Sequence, residues 1–155
     1  MTPAINNAKQ ANINFNIHEY DHNPTIDSYG EKAAIKLGVA SCRVLKTLVV
    51  VLDNRDLAVA VLPVSTQLDL KLFAKAIGTK KAAMASKKIV ERTTGYVLGG
   101  VSPIGQRKKL RTIIDNSAAY YNTVYVSAGR RGLEIELSPN DLCSLTDGEF
   151  EAISK

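Results

Sequence analysis

Val44-Leu-Lys-Thr-Leu-Val-Val-Val-Leu-Asp-Asn-Arg-Asp-Leu-Ala-Val-Ala-Val-Leu-Pro-Val64 is the stretch on which the fold turns. Val44–Leu52 is a nearly continuous apolar run, the mark of a central strand covered on both faces. Asp53–Asp56 is a turn, and Leu57–Val64 is a second buried strand, so the two make a hairpin. Lys46 interrupts the first run. It lies on one face with Val44, Leu48 and Val50, and the other face is apolar too. An ammonium there must snorkel to the strand end or meet an anion. That choice makes Lys46 a candidate ligand-binding or catalytic residue.

Outward from the hairpin the pattern alternates between helix and strand. Residues 3–13 read as a short helix, with Ala4, Ile5, Ala8 and Ala11 at helical spacing. Phe15–Tyr20 alternates as a strand and is ended by His22-Asn23-Pro24. Ser28 with Glu31 forms a capping box for a helix whose face is Ala33, Ala34 and Leu37 and whose stop is Gly38. Helices are expected at Asp69–Ile77, closed by Gly78, and at Ser86–Thr94, closed by Gly95. Short strands follow at Thr112–Ile114, Thr123–Ser127 and Gly132–Leu137, with Ala128–Arg131 as a link. Ser138-Pro139 caps a helix to about Leu145, and Asp147 starts a final one. This order predicts one α+β domain over residues 1–155, with a central mixed, partly barrel-like sheet flanked by helices.

Tyr96-Val-Leu-Gly-Gly-Val-Ser-Pro-Ile-Gly-Gln-Arg-Lys-Lys109 cannot continue as strand or helix past its short apolar start, Tyr96–Leu98, which reads as a strand end or buried approach. Gly99, Gly100, Ser102, Pro103 and Gly105 make a bare loop that leads into cations. No Gly-Lys-Ser/Thr ends it, so it is not a nucleotide-phosphate loop of that type. Such a loop suits a ligand with a carbonyl or phosphate at one end and a polyanion at the other. A tight turn with a solvated basic flank is the plainer alternative.

The chain has 155 residues and a formal net charge of +5. The charge is segregated: residues 71–131 hold thirteen Lys/Arg against Glu91 and Asp115, and the remainder is acidic. A basic segment in an otherwise acidic chain suggests a polyanion-binding face, although solvated helix faces give the same count. No apolar run reaches the roughly 18 residues of a membrane helix. The N-terminus has no export signal, so a reduced, cytoplasmic protein is expected, with Cys42 and Cys143 as thiols. The cysteines lack metal-ligand spacing, and neither has an evident base partner. His18 and His22 have no third ligand nearby in sequence and read as structural. No Ser-His-Asp order or paired-carboxylate pattern stands out. The residues describe a pocket without an evident protein nucleophile.

Three segments together carry a resemblance: Val44-Leu-Lys46-Thr-Leu48, Thr94–Gly105 and Val126-Ser-Ala-Gly-Arg-Arg-Gly132. With Met1–Ala4 and Gly132–Leu137 they resemble the YbaK/EbsC family. These are stand-alone bacterial Cys-tRNA(Pro) deacylases related to the editing domain of bacterial prolyl-tRNA synthetase. The resemblance implies that Lys46 is the family's essential lysine. It implies that Gly99–Pro103 is the Gly-x-x-x-Pro loop whose backbone, at Gly99 and Gly100, holds the aminoacyl ester, with Ser102 and Pro103 beside the substrate. Tyr20 and Tyr29 fall at pocket aromatics, and Ser127 and Glu134 at polar pocket positions. Tyr29 stands where Phe is common, Ala128 where Gly is usual, and Glu134 where Asp or Ser is often found.

The implied activity is trans-editing of Cys-tRNA(Pro), without cofactor or metal. The thiol of the substrate cysteine is the nucleophile. Arg107, Lys108, Lys109, Arg130 and Arg131 then hold tRNA(Pro), and prolyl-tRNA synthetase is the implied partner. A deacylase for another amino acid, such as alanine, and a non-catalytic RNA-binding protein are the alternatives. A pure binder needs the cations but not a buried Lys46.

Overall fold

The computed structural model describes residues 1–21 and 29–155, with side chains described from Lys32 onward in the second span. His22, Pro24 and the cap expected at Ser28 lie outside the described residues, and the Glu31 side chain is not described. The elements are α1 (Pro3–Gln10), β1 (Phe15–Glu19), α2 (Tyr29–Leu37), β2 (Leu45–Leu52), β3 (Leu57–Pro63), α3 (Leu70–Ile77), β4 (Ala82–Met84), α4 (Lys87–Thr94), β5 (Arg111–Asp115), β6 (Val124–Arg130), β7 (Leu133–Leu137), α5 (Pro139–Thr146) and β8 (Glu149–Glu151).

The hairpin forms as the apolar runs predict, in a register from Leu45↔Pro63 to Val51↔Leu57. It is the middle of a five-stranded sheet, β4-β2-β3-β5-β8, in which β3–β5 and β5–β8 are parallel. A separate antiparallel sheet has the order β1-β7-β6. The two sheets meet where Val44 bridges Tyr125 in parallel, and they do not close into a barrel. The α+β reading with mixed strands and flanking helices therefore holds, with the strands divided between two sheets.

Both faces of the hairpin are covered, which is why its sequence barely alternates. Leu45, Val49, Val59 and Val61 join the main core with Ile5, Tyr96, Ile104 and the inner face of the small sheet. On the other face, Val50, Ala58, Ala60 and Leu62 pack under Phe73 and Ile77 of α3. Val44, Val64 and Tyr125 form a third cluster under Ala33 and Ala34 of α2, at the junction of the sheets.

The N-terminal helix is bolted to this frame at its first turn. Thr2 caps α1 by accepting from the Ile5 amide at 3.2 Å. The same hydroxyl donates to the Ala128 carbonyl of β6.

Four expectations are corrected. Asp147 does not start a helix: it takes a left-handed conformation, φ 50°, and closes α5. The chain then runs as β8 along the open edge of β5, and the Ile153 amide bonds the Asp115 carboxylate at 3.0 Å. Tyr96–Leu98 is no strand end; Tyr96 is buried, whereas Val97 and Leu98 face solvent. Ala128–Arg130 is not a link but the bulged end of β6. The first helix stops at Gln10, and Asn12 turns the chain with φ 56°. The short edge strand β4 went unpredicted.

Candidate active site

Strand alternation gives the small sheet one apolar and one polar face. Val124, Val126, Leu133, Ile135 and Leu137 enter the core. The opposite face carries Tyr125, Ser127, Glu134, Glu136 and His18, with Ser127↔Glu134 and His18↔Glu134 in register. At its centre Glu134 is 6% exposed, and burial pushes its carboxyl up to about 8. No cation enters that balance, so at neutral pH Glu134 is mainly a neutral acid able to donate a hydrogen bond. Tyr20 follows β1, its amide bonded to the Gly132 carbonyl at 2.9 Å. Its hydroxyl is pushed up to about 12 by burial and then by the charge of Glu134. Ser127 accepts from the Gly129 amide at 3.2 Å. Tyr29 opens α2, and its side chain lies outside the described residues.

Two residues along β7, Glu136 behaves oppositely. It accepts from Thr123 at 2.6 Å and pairs with His18 at 2.9 Å. These partners, the Thr123 hydroxyl first, hold its carboxyl below the usual range. Arg43 reaches Thr123 at 2.6 Å and sits over the Tyr125 ring, 5.3 Å from its centre. Sequence reading missed this rim of His18, Arg43 and Glu136. Its partners are up to 118 residues apart, and only the strand register brings them together.

Lys46 enters beside this wall. Val44 pairs with Tyr125, so Lys46 and Ser127 each follow two residues after the bridge, on the face that Val44 and Tyr125 share. The ammonium is half-buried and donates to the Thr66 carbonyl at 2.6 Å. It neither snorkels into open water nor ion-pairs with Glu134, whose carboxyl is displaced by burial and not by a neighbouring charge.

The glycine loop backs onto the bulge of β6. Gly99 has φ +90°, a conformation that costs a side-chain-bearing residue. A Cβ on Gly100 would stand 2.7 Å from the Arg130 Cα. Both backbone groups of Leu98 are held: Glu91 accepts from its amide at 2.8 Å, and Arg131 donates to its carbonyl at 3.0 Å. Ser102 and Pro103 are buried, and the Ser102 hydroxyl accepts from the Ile104 amide at 3.2 Å. That hydroxyl is committed to the loop's own fold. Among the described residues, the amides of Val101 and Ser102 have no hydrogen-bond acceptor.

The cations gather around the loop. The Arg107 and Lys108 amides bond the carbonyls of Thr94 and Thr93 at the end of α4, and both side chains are exposed. Lys109 pairs with Asp147 at 2.5 Å, and Arg130 stands 3.9 Å from Glu19. Both cysteines are free thiols. Cys143 donates to the Gly148 carbonyl, and burial followed by Glu149 and Asp147 raises its thiol. It is therefore the less reactive protonated form. Among the described residues, no group of three His, Cys, Asp or Glu could hold a metal ion, and no helix is long and apolar enough to cross a membrane.

Residues 23–145 match the family model described as the aminoacyl-tRNA editing domain. A protein of Enterococcus faecalis named as a candidate Cys-tRNA(Pro)/Cys-tRNA(Cys) deacylase, EbsC, is 46% identical over 124 residues, covering 80% of this chain and 76% of that one. The uncharacterized protein YwhH of Bacillus subtilis is 29% identical over 112 residues, covering 72% and 71%. Among solved structures, one described as a candidate trans-editing enzyme for prolyl tRNA synthetase superposes with a TM-score of 0.84 at 20% identity, covering 100% of this chain and 99% of that one. The hypothetical protein APE2540 superposes with a TM-score of 0.89 at 23% identity, covering 99% and 100%.

Proposed function

Since the chain belongs to the aminoacyl-tRNA editing domain family, we propose that it is a trans-editing deacylase that frees tRNA(Pro) from misattached cysteine. It acts in the cytoplasm and gains tRNA selectivity from prolyl-tRNA synthetase. The observation that carries this reading is the convergence at the sheet junction. A half-buried Lys46 and a neutral, buried Glu134 lie to either side of Ser127, and a glycine loop with open amides packs against the end of the same strand. A module that merely binds RNA has no need of that interior.

Lys46 supplies positive charge, and the open amides of Val101 and Ser102 in the Gly99–Pro103 loop supply donors, where oxygen of the ester becomes negative. Tyr20, Ser127 and Glu134 define the amino-acid end, with Glu134 donating from its protonated form. Arg107, Lys108 and Arg131 take the backbone of the acceptor strand, and Lys109 and Arg130 follow once they exchange their carboxylate partners for phosphate.

The attacking group is the substrate's own thiol. Its sulfur bonds to the ester carbonyl carbon and the carbon–oxygen bond to the ribose breaks. The ribose oxygen keeps that electron pair and takes up the thiol proton. The products are uncharged tRNA and a cyclic thiolactone, which water later opens. Both reactants sit on one molecule, so the enzyme needs only to fold them together.

The test follows ester loss from Cys-, Ala- and Pro-charged tRNA(Pro), with wild-type protein and Lys46→Ala. Cys-tRNA(Pro) should be cleared fastest. The variant should fold and lose about 10²–10³ in rate, the scale of one electrostatic contact to the developing charge. Cys42→Ala with Cys143→Ala should stay active. A folded Lys46→Ala protein with normal turnover removes the role given to this lysine. Preferential loss of alanine moves the substrate, and no ester loss at all leaves an RNA-binding protein.

A further inference from the structure

Val97 and Leu98 are 55% and 40% exposed, at the tip of the turn between α4 and the glycine loop. Single exposed apolar residues are ordinary. This pair differs in how its backbone is held. Glu91 grips the Leu98 amide and Arg131 its carbonyl, and the Gly100 amide closes the turn on the Val97 carbonyl at 2.9 Å. Glu91 is one of two acids between residues 71 and 131, and it serves to aim this turn. The pair is thus presented to solvent on a fixed backbone.

Its surroundings are cationic. Exposed Arg92 lies on α4, Arg107 packs its Cβ 3.4 Å from the position of a Gly95 Cβ, Lys108 follows, and Arg131 touches Leu98 itself. A small apolar seat ringed by positive charge does not suit another protein, which needs a broad apolar patch. It does suit an unpaired nucleotide, which has an apolar base face and an anionic phosphate. The seat also directly precedes Gly99 and Gly100.

We propose that Val97 and Leu98 form an apolar seat for the unpaired bases at the 3′ end of the tRNA acceptor strand, with the flanking cations on the phosphates. The proposal rests on the deacylase reading for the identity of the strand, but it concerns binding and is tested by binding.

The probes are uncharged tRNA(Pro) with its complete 3′ end and the same tRNA lacking its last three nucleotides, each titrated against the full chain over a range of salt. Wild-type protein should prefer the complete tRNA. Val97→Ser with Leu98→Ser should weaken complete tRNA about 5- to 30-fold and leave truncated tRNA unchanged. The slope of log affinity against log salt should not move, because no counterion is released by an apolar contact. Arg107→Ala with Lys108→Ala should instead flatten that slope by about one to two units. Leu98→Trp, with a larger stacking face, should tighten complete tRNA only.

Equal binding of the two tRNAs by wild type overturns the seat. So does an affinity unchanged in both variants, a loss that persists on truncated tRNA, or an altered salt slope in the serine variant. Preference for complete tRNA by a protein that leaves the ester of Cys-, Ala- and Pro-charged tRNA(Pro) intact would refute the enzyme reading and leave the seat standing.

Discussion

Two glutamates on one short strand hold opposite charge states, and single residues decide which. Glu136 keeps its charge because Thr123 and His18 bond it, whereas Glu134 loses its charge because nothing compensates burial. The folded protein holds a proton on Glu134 that the unfolded chain surrenders near the ordinary carboxylate value. Its contribution to stability is therefore complete below about 4.5 and is lost as pH rises towards about 8. Glu134→Gln removes this dependence. In thermal melts the variant should match wild type near the bottom of that window and exceed it above the top, by roughly several degrees. An equal gap at both ends would mean that Glu134 is ionised throughout.

Thr47 is a second residue-scale case. Its hydroxyl is buried and is without a hydrogen-bond partner among the described residues, on a face shared with Leu45 and Val49. Thr47→Val should raise stability by about 1 kcal/mol, read as a denaturant midpoint at unchanged slope. The half-buried setting of Lys46 was legible in the sequence because an ammonium inside a run of Val and Leu must be explained. The state of Glu134 was not legible, because its neighbours include His18 and Tyr20, more than a hundred residues away in the chain.

At the scale of elements, the glycine loop and the bulge of β6 act as one packed unit. Gly100→Ala should force these apart, since its Cβ would meet backbone atoms of Arg130 and Arg131 at 2.7–2.9 Å. Backbone cannot swing aside as a side-chain end can, so a cost of about 1–3 kcal/mol and a marked drop in turnover are expected. Gly38→Ala is the comparison: it has φ +69° but open space, and should cost about 1 kcal/mol with turnover intact. Equal effects of the two on turnover would separate the loop from the site.

The hairpin and helices α3 and α4 were readable because long apolar runs and glycine stops are local signals. Strand β8 was not, because Glu149-Phe-Glu151 extends only by adding to the open edge of β5. Strand β4, Ala82–Met84, exists for the same reason along β2. Asp147 misled because Asp caps helix beginnings as readily as it accepts a left-handed ending.

Across the whole molecule, charge and core are segregated. Of the cations between residues 71 and 131, Arg107, Lys108, Arg130 and Arg131 lie beside the glycine loop, whereas Lys71 and Lys75 ride on α3 and Arg111 bonds the Ile77 carbonyl; the small sheet keeps acids on its polar face. The charge balance was legible as a count; the placing of Arg107 and Lys108 at the end of α4 was not, since they reach it by bonding back to Thr94 and Thr93. The bolt at Thr2 has a consequence for the order in which the chain is made. Thr2 bonds Ala128, 126 positions later, and β1 finds its sole strand partner among the described residues in β7, Phe15 opposite Leu137. Helix α1 and strand β1 must therefore wait until β6 and β7 have been made. The hairpin and α3 are complete by Ile77 and can collapse early, so the interior of the large sheet assembles before the wall that bears Glu134. A nascent chain halted before β7 would carry the finished hairpin and lack the wall that bears Glu134, so the proposed pocket would be completed only once β7 had been made.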